Sequence, residues 1–185
     1  MEKVRVSTDG SCLSENNSGD GPIGWAVVEH TGELTRSGGA HFGTNQIAEL
    51  AAVLVALRTY KIGGGRARKH LVIESDSNYA IKAATEWLPN WKANGWRNSA
   101  KKPVANLELI QAIDAEILER QAAGGSVELV WVKGHNGNLF NEQADVEARE
   151  QAERFKQSGD TALDLMPKEA VTAIERRHLA PVQRT

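Results

Sequence analysis

The hydrophobic pattern starts as alternation. Val4 and Val6 share one face of residues 3–8, which predicts a strand running into Asp9-Gly10. Residues 14–22, rich in Ser, Asn, Gly and Asp, predict a loop. Residues 23–29 and 34–41 predict two more strands joined around Thr31-Gly32 as an antiparallel hairpin, so the chain opens as a three-stranded meander. From Asn45 to about Tyr60 the period becomes helical, with Ile47, Leu50, Leu54 and Leu57 on one face and Gly63-Gly64-Gly65 as the stop. A short strand at 71–74 ends at Ser75-Asp76, and helical signals cover 77–87. They break near Pro89 and Gly95, then return over 103–122 until Gly124-Gly125. Residues 127–132 predict a last strand and 141 to about 155 a last long helix. Strand and helix alternating after a meander implies a mixed sheet covered by helices.

Beyond Lys156 the composition shifts. Residues 158–160 read as a linker, and 167–179 as a short helix with Pro in its first turn. The 185 residues therefore divide into one main domain and an appended tail. At 41% hydrophobic and 25% charged, the chain belongs with folded globular proteins rather than disordered or fibrous ones. The longest apolar run, residues 50–57, is far short of the roughly 20 a membrane helix needs. The charged N-terminus does not resemble a signal peptide, and the single Cys12 cannot form an internal disulfide, so a cytoplasmic location is expected. With 22 basic and 24 acidic residues and a net charge of −2, nucleic-acid binding would require a local basic patch.

Carboxylates carry the first chemical signal. Two strands end alike, Val6-Ser7-Thr8-Asp9 and Ile73-Glu74-Ser75-Asp76. If the strands are parallel neighbours, both acids meet at the carboxyl edge of the sheet, where open α/β sheets place ligands. Alone, either aspartate reads equally as a turn former or helix cap. Glu49 stands out because every other residue from 48 to 57 is apolar, and an ionised group on a helix buried nearly all round is costly unless paired or bound to metal. Asp145 shares its predicted helix with Glu142, Glu147 and Glu150, and spacing does not select the inward one. His135, in the loop Gly134-His135-Asn136-Gly137, becomes a proton-transfer candidate if it lies beside such acids. Four carboxylates without Cys/His metal spacing suit Mg²⁺ or Mn²⁺ rather than zinc.

A second signal is local charge. Residues 87–107 hold Lys92, Arg97, Lys101 and Lys102 and no acid, interleaved with Trp87, Trp91 and Trp96. Basic groups among aromatics form a surface for a phosphate backbone, although Trp87 and Trp91, four residues apart, also suit simple packing of a helix face.

Taken in order, five motifs resemble those of the type 1 ribonuclease H family. They are Thr8-Asp9-Gly10-Ser11-Cys12, Thr44-Asn45-x-x-Ala48-Glu49-Leu50, Ser75-Asp76-Ser77, Trp131-Val132-Lys133-Gly134-His135 and Asn141-Glu142-x-Ala144-Asp145. The segment from Trp91-Lys92-x-x-Gly95-Trp96 through Lys101-Lys102-Pro103-Val104 resembles the basic handle of the bacterial branch. The likeness spans residues 3–155. It implies an α/β ribonuclease H-like fold whose five-stranded mixed sheet, a three-strand meander plus two parallel strands, is flanked by helices. The catalytic domain would cover 1–156, its handle about 87–106, and the tail 157–185.

The resemblance implies an endonuclease that hydrolyses the RNA strand of RNA/DNA hybrids, leaving 3′-hydroxyl and 5′-phosphate ends. Asp9, Glu49, Asp76 and Asp145 would bind two Mg²⁺ ions, with Mn²⁺ a substitute, and Asp9 would bridge them. His135 would assist proton transfer or product departure. Asn45 and Asn78 would contact the minor groove and Thr44 a DNA phosphate, with Cys12 beside them. Trp87, Trp91, Trp96, Lys101 and Lys102 would grip the DNA strand. A monomer without membrane partners is expected, and the tail is left to dock on the core, recruit a protein or stay mobile. Three features depart from the family: residues 14–20 form a longer, more acidic loop, so its usual Asn contact is assigned to neither Asn16 nor Asn17, Ile47 stands where many relatives carry Arg, and the tail from Lys156 has no family counterpart. Competing readings are a catalytically silent hybrid- or duplex-binding module of the same fold, a related polynucleotidyl transferase, and an unrelated interaction protein. The four acids argue against the first, the motif order and handle against the second, and the buried Glu49 with the paired aspartates against the third.

Overall fold

The computed structural model describes residues 3–14, 19–63, 69–158 and 166–179. Three strands, β1 (Lys3–Cys12), β2 (Asp20–Glu29) and β3 (Thr35–Thr44), form the meander, followed by α1 (Asn45–Thr59) and β4 (His70–Ser75). Three helices come next, α2 (Asn78–Ala84), α3 (Leu88–Ala93) and α4 (Leu107–Ala122). β5 (Ser126–Trp131), α5 (Leu139–Gln157) and α6 (Lys168–Leu179) complete the described elements. The sheet order is β3-β2-β1-β4-β5, with β1-β2 and β2-β3 antiparallel and β1-β4 and β4-β5 parallel. This is the expected meander plus two parallel strands. Among the described residues no helix is long and apolar enough to cross a membrane.

The two sheet faces are covered differently. On one, Val4, Val6, Ile23, Val27, Leu71 and Ile73 pack under the apolar residues of α1 and α4. On the other, Ala26 and Val28 meet Ala144 and Ala148 of α5, small residues that let the helix lie close. Gly24 permits that approach, since a Cβ there would stand 2.6 Å from the Ala152 nitrogen.

Several boundaries differ from the sequence reading. β1 continues past Asp9 to Cys12, so Asp9 lies within a strand, opposite Ala26, and not in a turn. Cross-strand pairing overrides the Asp-Gly turn signal there. Pro89 does not break a helix. It sits in the first turn of α3, where its missing N–H has no intrahelical acceptor to leave empty. The helix expected from 103 begins only at Leu107. Before it, Asn98 Oδ1 accepts from the amides of Ala100 and Lys102, and Arg97 pairs with Pro103 in a short bridge. Lys101 and Asn106 take left-handed backbone angles, φ 59° and 56°, that a helix excludes. Residues 15–18, 64–65 and 159–160, which fall in the expected loop, stop and linker, lie outside the described residues.

The last described helix is packed on the core. Met166, Ala170, Ala173 and Ile174 are buried in the main core, and α6 lies against α1 and α4. The Arg58 guanidinium donates to both Glu169 carboxylate oxygens at 2.9 and 3.0 Å and to Glu116 at 3.0 Å. Arg177 pairs with Asp20 at 2.6 Å and Arg176 with Glu108. Truncating Ile174 therefore removes core packing: Ile174→Ala should destabilise the protein by about 2 kcal/mol. Thermal denaturation should show a melting temperature lower by about 4–8 °C, and an unchanged value would mean that α6 does not hold this position in solution.

Candidate active site

The parallel register of β1 and β4 sets Ser7 beside Glu74 and Thr8 beside Ser75, so Asp9 and Asp76 follow at the same level of the sheet. Glu49 reaches them from the second turn of α1. That helix is capped by Thr44, whose hydroxyl accepts from the Ile47 amide at 3.2 Å. Its closeness to the strand depends on Gly10, where a Cβ would stand 2.6 Å from the Ala48 carbonyl carbon and 2.8 Å from the Glu49 Cα. One carboxylate oxygen from each of Asp9, Glu49 and Asp76 lies within 4.8 Å of the others. Asp145, in the second turn of α5, falls outside that trio but lies near enough to Asp9 for its charge to act on it. Structure thus selects Asp145 from the acids along its helix.

The acids are poorly solvated and poorly compensated. Asp9 and Glu49 are each only 5% exposed. The Asp9 Oδ1 accepts from the Gly10 amide at 2.8 Å, and Glu49 Oε1 accepts from Asn45 Nδ2 at 3.3 Å, while Glu49 Oε2 has no partner. Burial, reinforced by the neighbouring Asp76 and Asp145 charges, pushes Asp9 up from 3.8 to about 8 against the Gly10 amide. Burial and the Asp9 and Asp76 charges likewise raise Glu49 well above the ordinary range. An all-oxygen donor set with a buried, orphaned carboxylate oxygen fits a hard divalent cation.

Around the cluster, Trp131 Nε1 donates to the Asp76 carbonyl at 3.0 Å, and Asn141 Nδ2 approaches Asp76 Oδ2 at 3.4 Å. Gly134 passes so close to Asp76 that any side chain there would collide with its carboxylate. His135 is exposed, takes a left-handed backbone angle of φ 50° and makes no side-chain hydrogen bond or ion pair among the described residues. Asn45 and Asn78 are exposed at the first positions of α1 and α2. Cys12 is half-buried, its sulfur facing the carbonyls of Gly19 and Gly43, and burial raises its thiol. In the basic segment, Trp87, Trp91 and Trp96 are half-buried against the main core, with the first two rings 5.5 Å apart. Lys92 is paired with Asp114 at 2.7 Å, whereas Lys101 and Lys102 are exposed. Ile47 is fully buried, so at this position the chain has core packing in place of a polar contact.

Sequence reasoning assigned no role to three polar side chains beside this site. Asn141 is 2% exposed with its Oδ1 unpartnered. Glu74 and Asn138 bond to each other at 3.1 Å just behind Asp76. A buried Glu two residues before a candidate ligand was the available signal, but a six-residue strand does not reveal which side chains face a helix arriving from 64 residues away.

The raised acids have a consequence for folding. Between about pH 4 and 8 the folded protein retains a proton on Asp9 that the unfolded chain releases, so stability falls as pH rises through that window. In metal-free buffer the wild type should melt lower at pH 8 than at pH 5, and Asp9→Asn should flatten that difference. Thermal denaturation with EDTA at both pH values checks this, and an equal slope in the variant would contradict the burial of this group.

A family model of RNase H matches residues 1–153. The ribonuclease H of Bordetella bronchiseptica is 40% identical over 154 residues, 82% of this chain and 90% of that one. The ribonuclease H of Treponema pallidum is 40% identical over 170 residues, 84% and 94% of the two chains. Among solved structures, LC9-RNase H1, described as a type 1 RNase H with the type 2 active-site motif, superposes with a TM-score of 0.68 at 28% identity, covering 93% of this chain and 81% of that one. A five-stranded mixed sheet, a carboxylate cluster where the pairing of its central parallel strands ends and these likenesses agree: this chain belongs to the ribonuclease H family.

Proposed function

We propose that the protein hydrolyses phosphodiester bonds within the RNA strand of RNA/DNA hybrids, leaving 3′-hydroxyl and 5′-phosphate ends. The observation that carries this reading is the convergence of Asp9, Glu49 and Asp76 within 4.8 Å, on a scaffold of this family and with Asp145 against Asp9. Residues 1–156 form the catalytic unit, and 157–185 an element added to it. Asp9, Glu49, Asp76 and Asp145 are the side chains that would hold Mg²⁺. Two such ions, when bound, supply water activation and charge neutralisation at the leaving oxygen.

The chain's own groups do the rest. Burial raises Asp9 and Glu49 above the ordinary carboxyl range, so holding a cation would be coupled to release of their protons. His135, exposed on its loop, exchanges a proton between solvent and the departing 3′ oxygen. Asn45 and Asn78, exposed at two helix starts, read 2′-hydroxyls in the wide minor groove, and Thr44 and Cys12 line the same rim. Lys101 and Lys102 attract the DNA strand's phosphates, and the three half-buried tryptophans brace the segment that carries them. Contacts of this kind carry little base-sequence preference. A location in the cytoplasm and a monomeric state complete the reading.

The test is strand-labelled RNA/DNA hybrid, double-stranded RNA and duplex DNA, each with Mg²⁺ or EDTA. Cutting confined to the hybrid's RNA strand, abolished by EDTA and lowered at least about a hundredfold in Asp9→Asn, is expected. Tight hybrid binding without cutting would instead identify a silent binding module. In the same assay His135→Ala should lower kcat by about tenfold to a hundredfold with KM little changed. Replacing Lys101 and Lys102 by Ala should leave kcat unchanged and reduce the salt dependence of hybrid affinity by about one logarithmic unit of slope per lysine. An unaltered salt slope would remove the basic segment from the binding surface.

A further inference from the structure

Glu74 is a buried acid that the cation-binding cluster does not include. Its side chain is 6% exposed, yet it has partners from three other parts of the chain. The Arg5 guanidinium of β1 pairs with Oε1. His30 Nε2, just beyond β2, lies 3.7 Å from Oε2 and bonds the Ser7 hydroxyl at 2.9 Å. Asn138 Nδ2 donates to Oε2 at 3.1 Å. A buried carboxylate held this way is costly to leave without its partners.

The Asn138 bond matters because of where Asn138 sits. It is the N-cap of α5, and its Oδ1 accepts from the Asn141 amide at 3.3 Å, so both ends of its amide are committed. The first turn of α5 has a second fastening in Phe140, whose ring stacks on His30 with centroids 4.4 Å apart and planes 16° from parallel. The loop before α5 is also tied at its start, where the Val132 amide donates to the Ser75 carbonyl at 3.0 Å. Both ends of the segment carrying Gly134 and His135 are therefore attached to consecutive residues at the end of β4, the strand that leads into Asp76. Within the segment, the Gly137 amide donates to Glu142 at 2.9 Å.

We propose that the Arg5–Glu74–Asn138 network is a positioning device for the reaction: it fixes the start of α5, and through it His135, Asn141 and Asp145, over the carboxylate cluster. The idea rests on the hybrid-cleaving function proposed above. Its effect belongs to turnover, because reacting groups displaced by about 1 Å can lose a hundredfold in rate. Substrate affinity should be spared, since Asn45, Asn78, Lys101 and Lys102 stand on α1, α2 and the basic segment.

Three full-length variants test it: Glu74→Ala, Asn138→Ser and the two combined. Serine retains the helix-capping oxygen but cannot supply the amide donor, so Asn138→Ser cuts the link to Glu74 and keeps the cap. Each single change should lower kcat on the hybrid about tenfold with KM within about twofold, and the double variant should be no slower than the worse single one. Amide exchange at Gly137, Asn141 and Glu142 should quicken about tenfold in all three, with α1 amides unaffected. Losses that multiply in the double variant, a change confined to KM, or unaltered exchange at those amides would each overturn the proposal. If Glu74→Ala does not fold, Asn138→Ser decides through the kcat–KM split and exchange. A wild type that leaves the hybrid uncut would sink the functional reading and with it the catalytic role of the network, whereas exchange would still report whether Glu74 anchors α5.

Discussion

The parallel pairing of β1 with β4 is the constraint on which the rest of the molecule turns. With Ser7 beside Glu74 and Thr8 beside Ser75, two strands far apart in sequence run in register, and Asp9 and Asp76 meet where the β1–β4 pairing ends while β1 continues against β2. A one-residue slip would send one of the acids to the opposite face. The apolar face of the same strands, Val4, Val6, Leu71 and Ile73, is buried under α1 and α4, and that burial opposes any such slip. Hydrophobic packing on one side thus enforces an electrostatically unfavourable meeting at the edge.

The fold treats its buried acids in two ways. Glu74 receives a guanidinium, an amide and a nearby imidazole, the usual remedy for a charge removed from water. Asp9 and Glu49 receive a backbone amide and one asparagine between them, and face other carboxylates. The two solutions lie on adjoining elements, with Glu74 on β4 beside Ser7, Asp9 two residues further along β1, and Glu49 on α1. That contrast separates a group used for architecture from acids whose buried oxygen donor set fits a cation.

The elements outside the sheet serve its edge. Small residues bring α5 close to β2, and its start is tied back to β4 through Asn138, so Asp145 arrives with little freedom. The tryptophans of the basic segment are turned to the core, leaving its lysines to face solvent. α6 buries apolar residues on α1 and α4 and places Arg177 against Asp20, at the strand that runs beside the α1 cap. A helix added after the family-matched region is thereby fastened near the side of the molecule that carries Thr44 and Asn45.

Local chemistry made much of this legible in the chain alone. Period-two and helical spacing identified the strands and long helices, because those periods follow from side-chain direction in each element. A lone Glu49 in an apolar helix and two aspartates after similar strands marked the acids, because burial of charge is expensive wherever it occurs. Spacing alone did not choose Asp145 over Glu142, Glu147 and Glu150; the motif resemblance named it, and the docking of α5 on the sheet is what brings it toward Asp9. The continuation of β1 through Asp9 required it too, because partner strands supply hydrogen bonds that a turn-forming sequence does not announce. The inward tryptophans and the Glu74–Asn138 bond depend on contacts between distant segments. Residue type and spacing determined which groups could do chemistry here, and only the folded packing decided which of them meet.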